Sequence, residues 1–280
     1  MTNQKQAALS ASEFISFIES GDYKKMKQTE VFLKQAKGCL REMLTEWEGK
    51  RHEFKDLNMV AKFVPKKVFE TDHSGLIEEL LCYVQHDFIS PLIRLEPKAI
   101  KENEIYETLR EYLLPKTFYV RPTLNKVGKM EVSLHDYIFG GQTEKELIAE
   151  IKETSLQHKQ HETRYEHFKT LVQICPVLQA KKKVATPYGS VSLIPHKEKW
   201  DLPKIYKDYG EEYLIQYGNV DTAKLDELIL QGAIPKSIVS NHRKVTDIRL
   251  DFMVMELDTE ERILSFQRNK KVQASLRRFA

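Results

Sequence analysis

Apolar residues recur with a helical period near the start of the chain. Between residues 22 and about 54 they follow alternating three- and four-residue steps, at Leu33, Ala36, Leu40, Met43 and Trp47. This spacing places them on one face of a long helix, close to a heptad pattern. Such a seam packs either against its own domain or against a second chain. Upstream, Ser10 and Glu13 have the spacing of a capping box, so a short helix is expected to start there and to stop at Gly21.

A second long helix is predicted over residues 144–173. Thr143 and Glu146 have the spacing of another capping box, and the apolar residues that follow cluster at the two ends of the helix. Its polar middle is typical of a helix that is exposed there or meets a polar partner. Both long helices contribute to a predicted self-association surface, most simply in a twofold dimer. That surface consists of Leu33, Leu40, Met43, Trp47, Ile151, Tyr165 and Phe168.

Patterns typical of strands occur between and after these helices. Residues 184–193 have the pattern of a hairpin, because two β-type runs flank a turn signal at residues 187–190. A helix is predicted over residues 222–231. Residues 246–257 then alternate between charged and apolar side chains, with Ile248, Leu250, Phe252 and Val254 on one face. This alternation predicts a strand that is buried on one side.

The order of elements predicts an α+β protein with long amphipathic helices and small antiparallel β elements. The Gly-Gly pair at residues 140–141 suggests a boundary between an N-terminal domain, residues 1–140, and a C-terminal domain, residues 141–280. Each half runs from a long helix through a short helix to a Pro-Lys pair and a strand. "LLPKTFYV" at residues 113–120 aligns with "AIPKSIVS" at residues 233–240, and residues 114–117 match residues 234–237 in type. A diverged tandem repeat would explain the match, and so would coincidence, because helix–proline–strand is a common way to end a helix.

Composition narrows the compartment and the class of partner. The formal net charge of the 280 residues is only +3, so any basic surface is local and a polybasic nucleic-acid coat is excluded. The cysteines are Cys39, Cys82 and Cys175, which form no C-x-x-C pair, and this favours a reducing cytoplasm. No apolar signal core begins the chain, and no run of about 18 apolar residues predicts a membrane span.

Candidate chemistry is sparse, and no enzyme activity, cofactor or metal is expected. His158, His161 and Glu162 could share a metal on a helix face, but a solvated polar surface explains them more simply. Asp247 and Asp251 could suggest a metal-dependent nuclease, but alternating charges on a strand account for them as well. Candidate contacts to a partner or to DNA are the basic residues of the second half, Lys181, Lys182, Lys183, Arg243, Lys244, Arg268, Lys270 and Lys271.

The second half resembles the Gam-like host-nuclease inhibitors of bacteriophages and related small siphovirus proteins. The resemblance covers about residues 145–257: a long polar helix, then Thr186, Pro187, Tyr188 and Gly189, then a short helix over residues 221–232. "LPKIYKDYG" at residues 202–210 lies where the related proteins have a similar proline-containing segment. Gam-type proteins bind duplex DNA ends as dimers and block nucleases. The resemblance therefore implies a phage or prophage protein that acts in the bacterial host cytoplasm.

Together these observations predict a non-enzymatic binding protein and a homo-oligomer. Its expected partner is a host nuclease or defence complex, whose access to DNA it blocks. The alternative is a sequence-nonspecific protein that binds duplex DNA itself, and a metal-dependent nuclease is a distant third.

Overall fold

The computed structural model of the chain describes residues 2–84, 89–101 and 104–279, and it confirms the α+β class. The described helices are α1 (Thr2–Glu19), α2 (Asp22–Thr45), α3 (His73–Tyr83), α4 (Pro97–Lys101), α5 (Ile105–Leu109), α6 (Lys126–Glu131), α7 (Glu144–Gln173), α8 (Pro176–Lys181), α9 (Leu202–Tyr209), α10 (Glu212–Tyr217), α11 (Thr222–Leu230), α12 (Lys236–Asn241) and α13 (Leu257–Phe279). The strands are β1 (Arg51–Phe54), β2 (Met59–Thr71), β3 (Ile93–Leu95), β4 (Phe118–Leu124), β5 (Lys183–Thr186), β6 (Gly189–Pro195), β7 (Gly218–Val220) and β8 (Arg243–Glu256).

The chain forms two compact units that do not follow the predicted division at residues 140–141. Unit 1 contains residues 1–62, 117–196 and 252–256, and unit 2 contains residues 63–116, 197–251 and 257–280. The predicted boundary lies inside unit 1, because β4 pairs with β6 over its whole length, from Phe118 opposite Pro195 to Leu124 opposite Gly189. This long-range pairing joins the two halves of the sequence, and no local composition shift indicates it.

The two long helices, α2 and α7, pack against each other inside unit 1. Asp22 bonds to Arg164 at 3.0 Å, and Thr29 bonds to His158 at 2.9 Å, so the two helices run antiparallel. The buried residues of α2 follow steps of three and four, and α7 buries a matching row. These rows are Leu33, Ala36, Leu40 and Leu44 in α2, and Leu147, Ile148 and Ile151 in α7. The apolar seam read from the sequence is therefore covered by the same chain.

The start and end of the first two helices differ from the prediction. Ser10 is not an N-cap, because α1 already begins at Thr2, in a stretch of good helix formers, and Ser10 lies buried within the helix. Gly21 ends α1 as predicted, with a φ of 73°. Helix α2 stops at Thr45 and not near residue 54, where the chain has already entered β1. The seam accordingly ends at Leu44, and Trp47 lies beyond the helix.

The remaining core of unit 1 is rich in aromatic rings. Phe17 stacks on Phe168 with 5.1 Å between ring centroids, and Tyr23 and Tyr165 pack beside them. A three-stranded sheet in the order β4-β6-β5 joins this cluster through Val120, Val191 and Leu193. The hairpin β5–β6 is thus confirmed where the sequence predicted it, and it supports the α1–α7 core.

Unit 2 has its own core, around the two-stranded sheet of β3 and β7. Ile93 lies opposite Val220 in this antiparallel pair. Helix α3 packs over the sheet with Leu76, Ile77 and Leu80, which are fully buried. Asp72 caps α3 by accepting a hydrogen bond from the Gly75 N–H at 3.1 Å.

The two Pro-Lys segments that suggested a tandem repeat fold differently. The first leads into strand β4, whereas the second leads into helix α12, with Pro235 at the N-cap. Ile238 and Val239 of that helix are buried in the core of unit 2. The repeat itself stays a prediction.

Candidate macromolecular interface

The predicted basic contacts are divided between the two units. Lys181, Lys182 and Lys183 lie in unit 1, where α8 ends and β5 begins, and all three are exposed. Lys182 has a φ of 60° at the helix end, and its amino group lies 4.5 Å from the centre of the Phe118 ring. Positive charge at a helix C-terminus stabilises the helix by itself. This cluster therefore has a structural role beside any role in binding.

In unit 2, two of the predicted basic contacts already have intramolecular partners. Arg243 forms an ion pair with Asp226 at 2.9 Å, and its guanidinium lies 4.2 Å from the centre of the Phe69 ring. Lys270 forms an ion pair with Glu227 at 2.9 Å. Both side chains are largely covered, so they are poorly placed to neutralise phosphate groups. Lys244, Arg268 and Lys271 are exposed.

The apolar face of β8 is exposed in unit 2, contrary to the expectation of a half-buried strand. The side chain of Ile248 is 60% exposed and that of Leu250 is 41% exposed. Among the described strands, β8 neighbours only β2, at the edge of the sheet β1-β2-β8, and the Thr246 hydroxyl donates a hydrogen bond to the Val68 carbonyl at 3.4 Å. Charged and apolar residues do alternate along β8, but no second layer of the described chain covers the apolar face. We call Ile248 and Leu250 the apolar strand surface.

Helix α13 adds a second exposed apolar feature to unit 2, which the sequence analysis missed. A groove of about 690 Å³ runs between α11 and α13. Its apolar residues are Leu230, Ile263 and Phe266, and its rim includes Arg262 and Lys271. The three-residue step from Ile263 to Phe266 is a helical signal that could have identified this face. The groove combines apolar walls with a basic edge.

The residues predicted for self-association lie mainly inside unit 1. Leu33, Leu40, Ile151 and Phe168 are buried, and Met43 and Tyr165 are half-buried. Burial within the aromatic cluster raises the pKa of Tyr165 to about 12. Only Trp47 is largely exposed, at 56%. These positions form a core and not an open helix face, so twofold association through this seam is corrected to packing within the chain.

The polar middle of α7 is held by neighbouring side chains. His158 bonds to Thr29 at 2.9 Å and lies 3.5 Å from Glu162, whereas burial lowers the pKa of His161. Asp251 of β8 lies 3.7 Å from Lys66 of β2. Within residues 2–84, 89–101 and 104–279, no three His, Cys, Asp or Glu side chains converge as a metal site. None of the helices in these ranges has the length and apolar character of a membrane span.

The turn motif that carried the family resemblance has bonding partners within unit 1. The Asn125 side chain donates to the Pro187 carbonyl at 2.8 Å, and its backbone N–H donates to the Tyr188 carbonyl at 3.0 Å. The Tyr188 hydroxyl donates to Glu19 at 2.9 Å, and this hydrogen bond raises the pKa of Tyr188. These bonds hold the turn against α1 and β4, so the motif stabilises unit 1.

Comparisons of the chain with protein-family models, with curated proteins and with solved structures give no match.

We expect the stability of unit 2 to depend on pH through His73. Its Nδ1 accepts a hydrogen bond from the Val220 N–H at 3.1 Å, and burial lowers its pKa. Because the unfolded chain binds the proton more tightly, stability is full above the ordinary histidine pKa of about 6.5 and falls below it. We expect the urea concentration at the unfolding midpoint of unit 2 to decrease when the pH is lowered from 7.5 to 5.5.

The matched variants His73→Asn and His196→Asn test this assignment. Asparagine keeps an acceptor near Val220 but does not titrate, so His73→Asn should flatten the pH dependence. His196 belongs to unit 1, so its replacement should leave the pH dependence of unit 2 unchanged. Equal slopes for His73→Asn and the unmodified protein would show that another group controls the acid response.

Proposed function

We propose that this protein is a non-enzymatic protein that binds another protein. Its partner is a host nuclease or defence complex, whose access to DNA it blocks. The observation that supports the proposal is the exposed apolar strand surface together with the groove along α13. Strand β8 is an edge strand of the three-stranded sheet β1-β2-β8, and its exposed apolar side chains favour coverage by another layer. A protein partner supplies such a layer by burying Ile248 and Leu250.

The charge of the surface favours a particular partner chemistry. Arg262 and Lys271 edge the apolar groove, and Lys244 lies exposed on β8. A partner that presents apolar side chains flanked by carboxylates complements both features. Duplex DNA offers phosphates but no apolar side chains, and it would leave the strand surface uncovered.

A degradation assay tests the function. Linear duplex DNA is incubated in a nuclease-active bacterial lysate with and without the protein, and its half-life is measured. We expect the protein to prolong the half-life and the variant Ile248→Ser/Leu250→Ser to lose at least about tenfold in potency, which corresponds to about 1.4 kcal/mol of binding free energy. Both positions are exposed, so the variant should stay folded.

The opposite face of the same strand provides the matched control. The variant Asp247→Ser/Arg249→Ser changes two exposed residues, keeps the net charge and leaves the apolar strand surface intact. It should protect DNA as well as the unmodified protein. Equal potency for the apolar variant, or no protection by the unmodified protein, would contradict the proposal.

Salt dependence distinguishes direct DNA binding from binding to a protein partner. Duplex affinity that falls steeply between 50 and 200 mM salt would indicate phosphate contacts. If replacing Lys181, Lys182 and Lys183 by glutamine removed both this affinity and the protection, DNA would be the ligand and the protein-directed proposal would be wrong. DNA loss caused by the protein itself, and abolished by Asp251→Ala, would instead indicate a nuclease.

A further inference from the structure

Strand β8 has an open edge. It lies at one side of the sheet β1-β2-β8, and no strand among residues 2–84, 89–101 and 104–279 pairs with its outer side. It is 14 residues long, whereas an average strand has about five or six, and it includes no proline or glycine. An edge of this kind presents a row of backbone donors and acceptors to any strand that approaches it.

The side chains along this edge are not covered by the described part of the chain. Every residue from 244 to 251 is exposed, so neither face of this stretch is packed. Natural proteins protect long edges with prolines, short strands, a covering element or charged side chains. The charges of β8 are of both signs, so they are able to attract a second strand that carries the complementary order.

A second copy of β8 carries that order when it runs antiparallel to the first. In the register where Leu250 lies opposite its own copy, Arg249 lies opposite Asp251 of the second copy. Lys244 lies opposite Glu256 of the second copy in the same register. Twofold symmetry makes each of these pairs occur twice. Unlike charges that lie directly opposite each other stabilise an antiparallel pair.

The same register also matches the apolar side chains. Ile248 lies opposite Phe252 of the second copy, on the face of the sheet where the two Leu250 side chains meet. Apolar pairs of this kind stabilise neighbouring strands. On the other face, Asp247 lies opposite Met253, so like charges do not meet anywhere along the overlap.

The neighbouring registers are less favourable. Placing Arg249 on the twofold axis opposes two arginines to each other, and it also opposes Asp247 to Asp251. Placing Ile248 on the axis keeps Asp247 opposite Arg249, but it puts Val245 opposite Asp251 and loses the second kind of ion pair. The pattern therefore favours one register over its alternatives.

The charged residues of β8 have only weak contacts within their own chain. Arg249 lies 3.7 Å from Asp247, and Asp251 lies 3.7 Å from Lys66. These side chains are exposed, and exposed ion pairs contribute little to stability. A second copy therefore competes with weak intramolecular contacts.

We propose that the open edge of β8 pairs with the same edge of a second copy of this chain, antiparallel and with Leu250 on the twofold axis. The pairing joins two three-stranded sheets into one continuous sheet. Each β8 uses its one open edge, so the pairing closes at a dimer. It does not depend on the function proposed above, because it uses the edge of the sheet and leaves the apolar strand surface open on the face.

Disulfide cross-linking tests the register. The variant Leu250→Cys is prepared with Cys39→Ser and Cys82→Ser, while Cys175 is buried and is retained. Opposite residues of an antiparallel pair have Cα atoms about 4.5–5.5 Å apart, within reach of a disulfide. Mild oxidation should therefore give a covalent dimer on non-reducing electrophoresis. In the matched control Ile248→Cys, the two cysteines are about 14 Å apart in this register and should not form a disulfide.

Charge reversal tests the ion pairs. Arg249→Asp opposes two pairs of carboxylates, so the dimer dissociation constant measured by sedimentation should rise by about tenfold. Asp251→Arg should weaken the dimer similarly. The double variant Arg249→Asp/Asp251→Arg opposes unlike charges again and should restore the affinity. The control Lys207→Asp reverses an exposed charge on α9 and should leave the dissociation constant unchanged.

Circular dichroism of each variant distinguishes weaker pairing from a loss of the fold. A covalent dimer from Leu250→Cys and rescue by the double charge reversal would support the proposal. A monomeric unmodified protein, cross-linking of Ile248→Cys in place of Leu250→Cys, or a double variant as weak as the single variants would overturn it.

Discussion

Replacing Phe168 by alanine is expected to lower the free energy of unfolding of unit 1 by about 3–5 kcal/mol. The ring is 4% exposed and stacks on Phe17 at 5.1 Å, with only 4° between the ring planes. Phe14 and Tyr165 lie 6.2 and 6.1 Å away, so the removed ring leaves a cavity lined by large, stiff side chains. Such neighbours collapse poorly into the space. The loss of unfolding free energy should therefore lie toward the upper end of this range.

Urea unfolding followed by circular dichroism measures this effect. The control Leu156→Ala removes a side chain from the same helix at a position that is 62% exposed, and it should change stability by no more than about 0.5 kcal/mol. Sedimentation of both variants distinguishes a loss of folding stability from the dissociation of an oligomer. If Phe168→Ala kept its stability but dissociated an oligomer, the residue would belong to an intermolecular seam and the packing described above would be wrong.

Replacing Gly189 by alanine is expected to destabilise the sheet of unit 1 by about 2–4 kcal/mol. Gly189 has a φ of +152°, which side chains of L-residues rarely adopt. A Cβ there would lie 2.0 Å from the Thr123 carbonyl oxygen and 2.9 Å from the Leu124 Cα. Both atoms belong to the backbone of the paired strand, so relief requires the end of the β4–β6 ladder to separate.

Amide hydrogen exchange in β4 and β6 reports this separation, and thermal unfolding reports the loss of stability. The variant Gly140→Ala is the matched control, because no atom lies within 4 Å of its added Cβ and its φ is not in the left-handed region. Unchanged exchange at Thr123 and Leu124 in Gly189→Ala would show that the turn adapts without breaking the pairing.

The position of several elements follows from local sequence alone. Thr143 and Glu146 bond reciprocally, at 3.3 Å from the Glu146 N–H to Thr143 and at 2.8 Å from the Thr143 N–H to Glu146, and α7 spans Glu144–Gln173 as predicted. The hairpin at β5–β6 likewise follows from its turn residues. A cap or a turn involves atoms only a few residues apart, so its residues specify it without reference to the rest of the chain.

Only the tertiary structure decided what covers each apolar face. Leu40 and Ile248 both belong to regular apolar patterns, yet Leu40 is fully buried and Ile248 is 60% exposed. Periodicity identifies residues that share a face, but whether another layer lies against that face depends on contacts between distant segments. For the same reason, the two units do not follow the predicted boundary at residues 140–141. The pairing of β4 with β6 joins segments that lie far apart in the sequence.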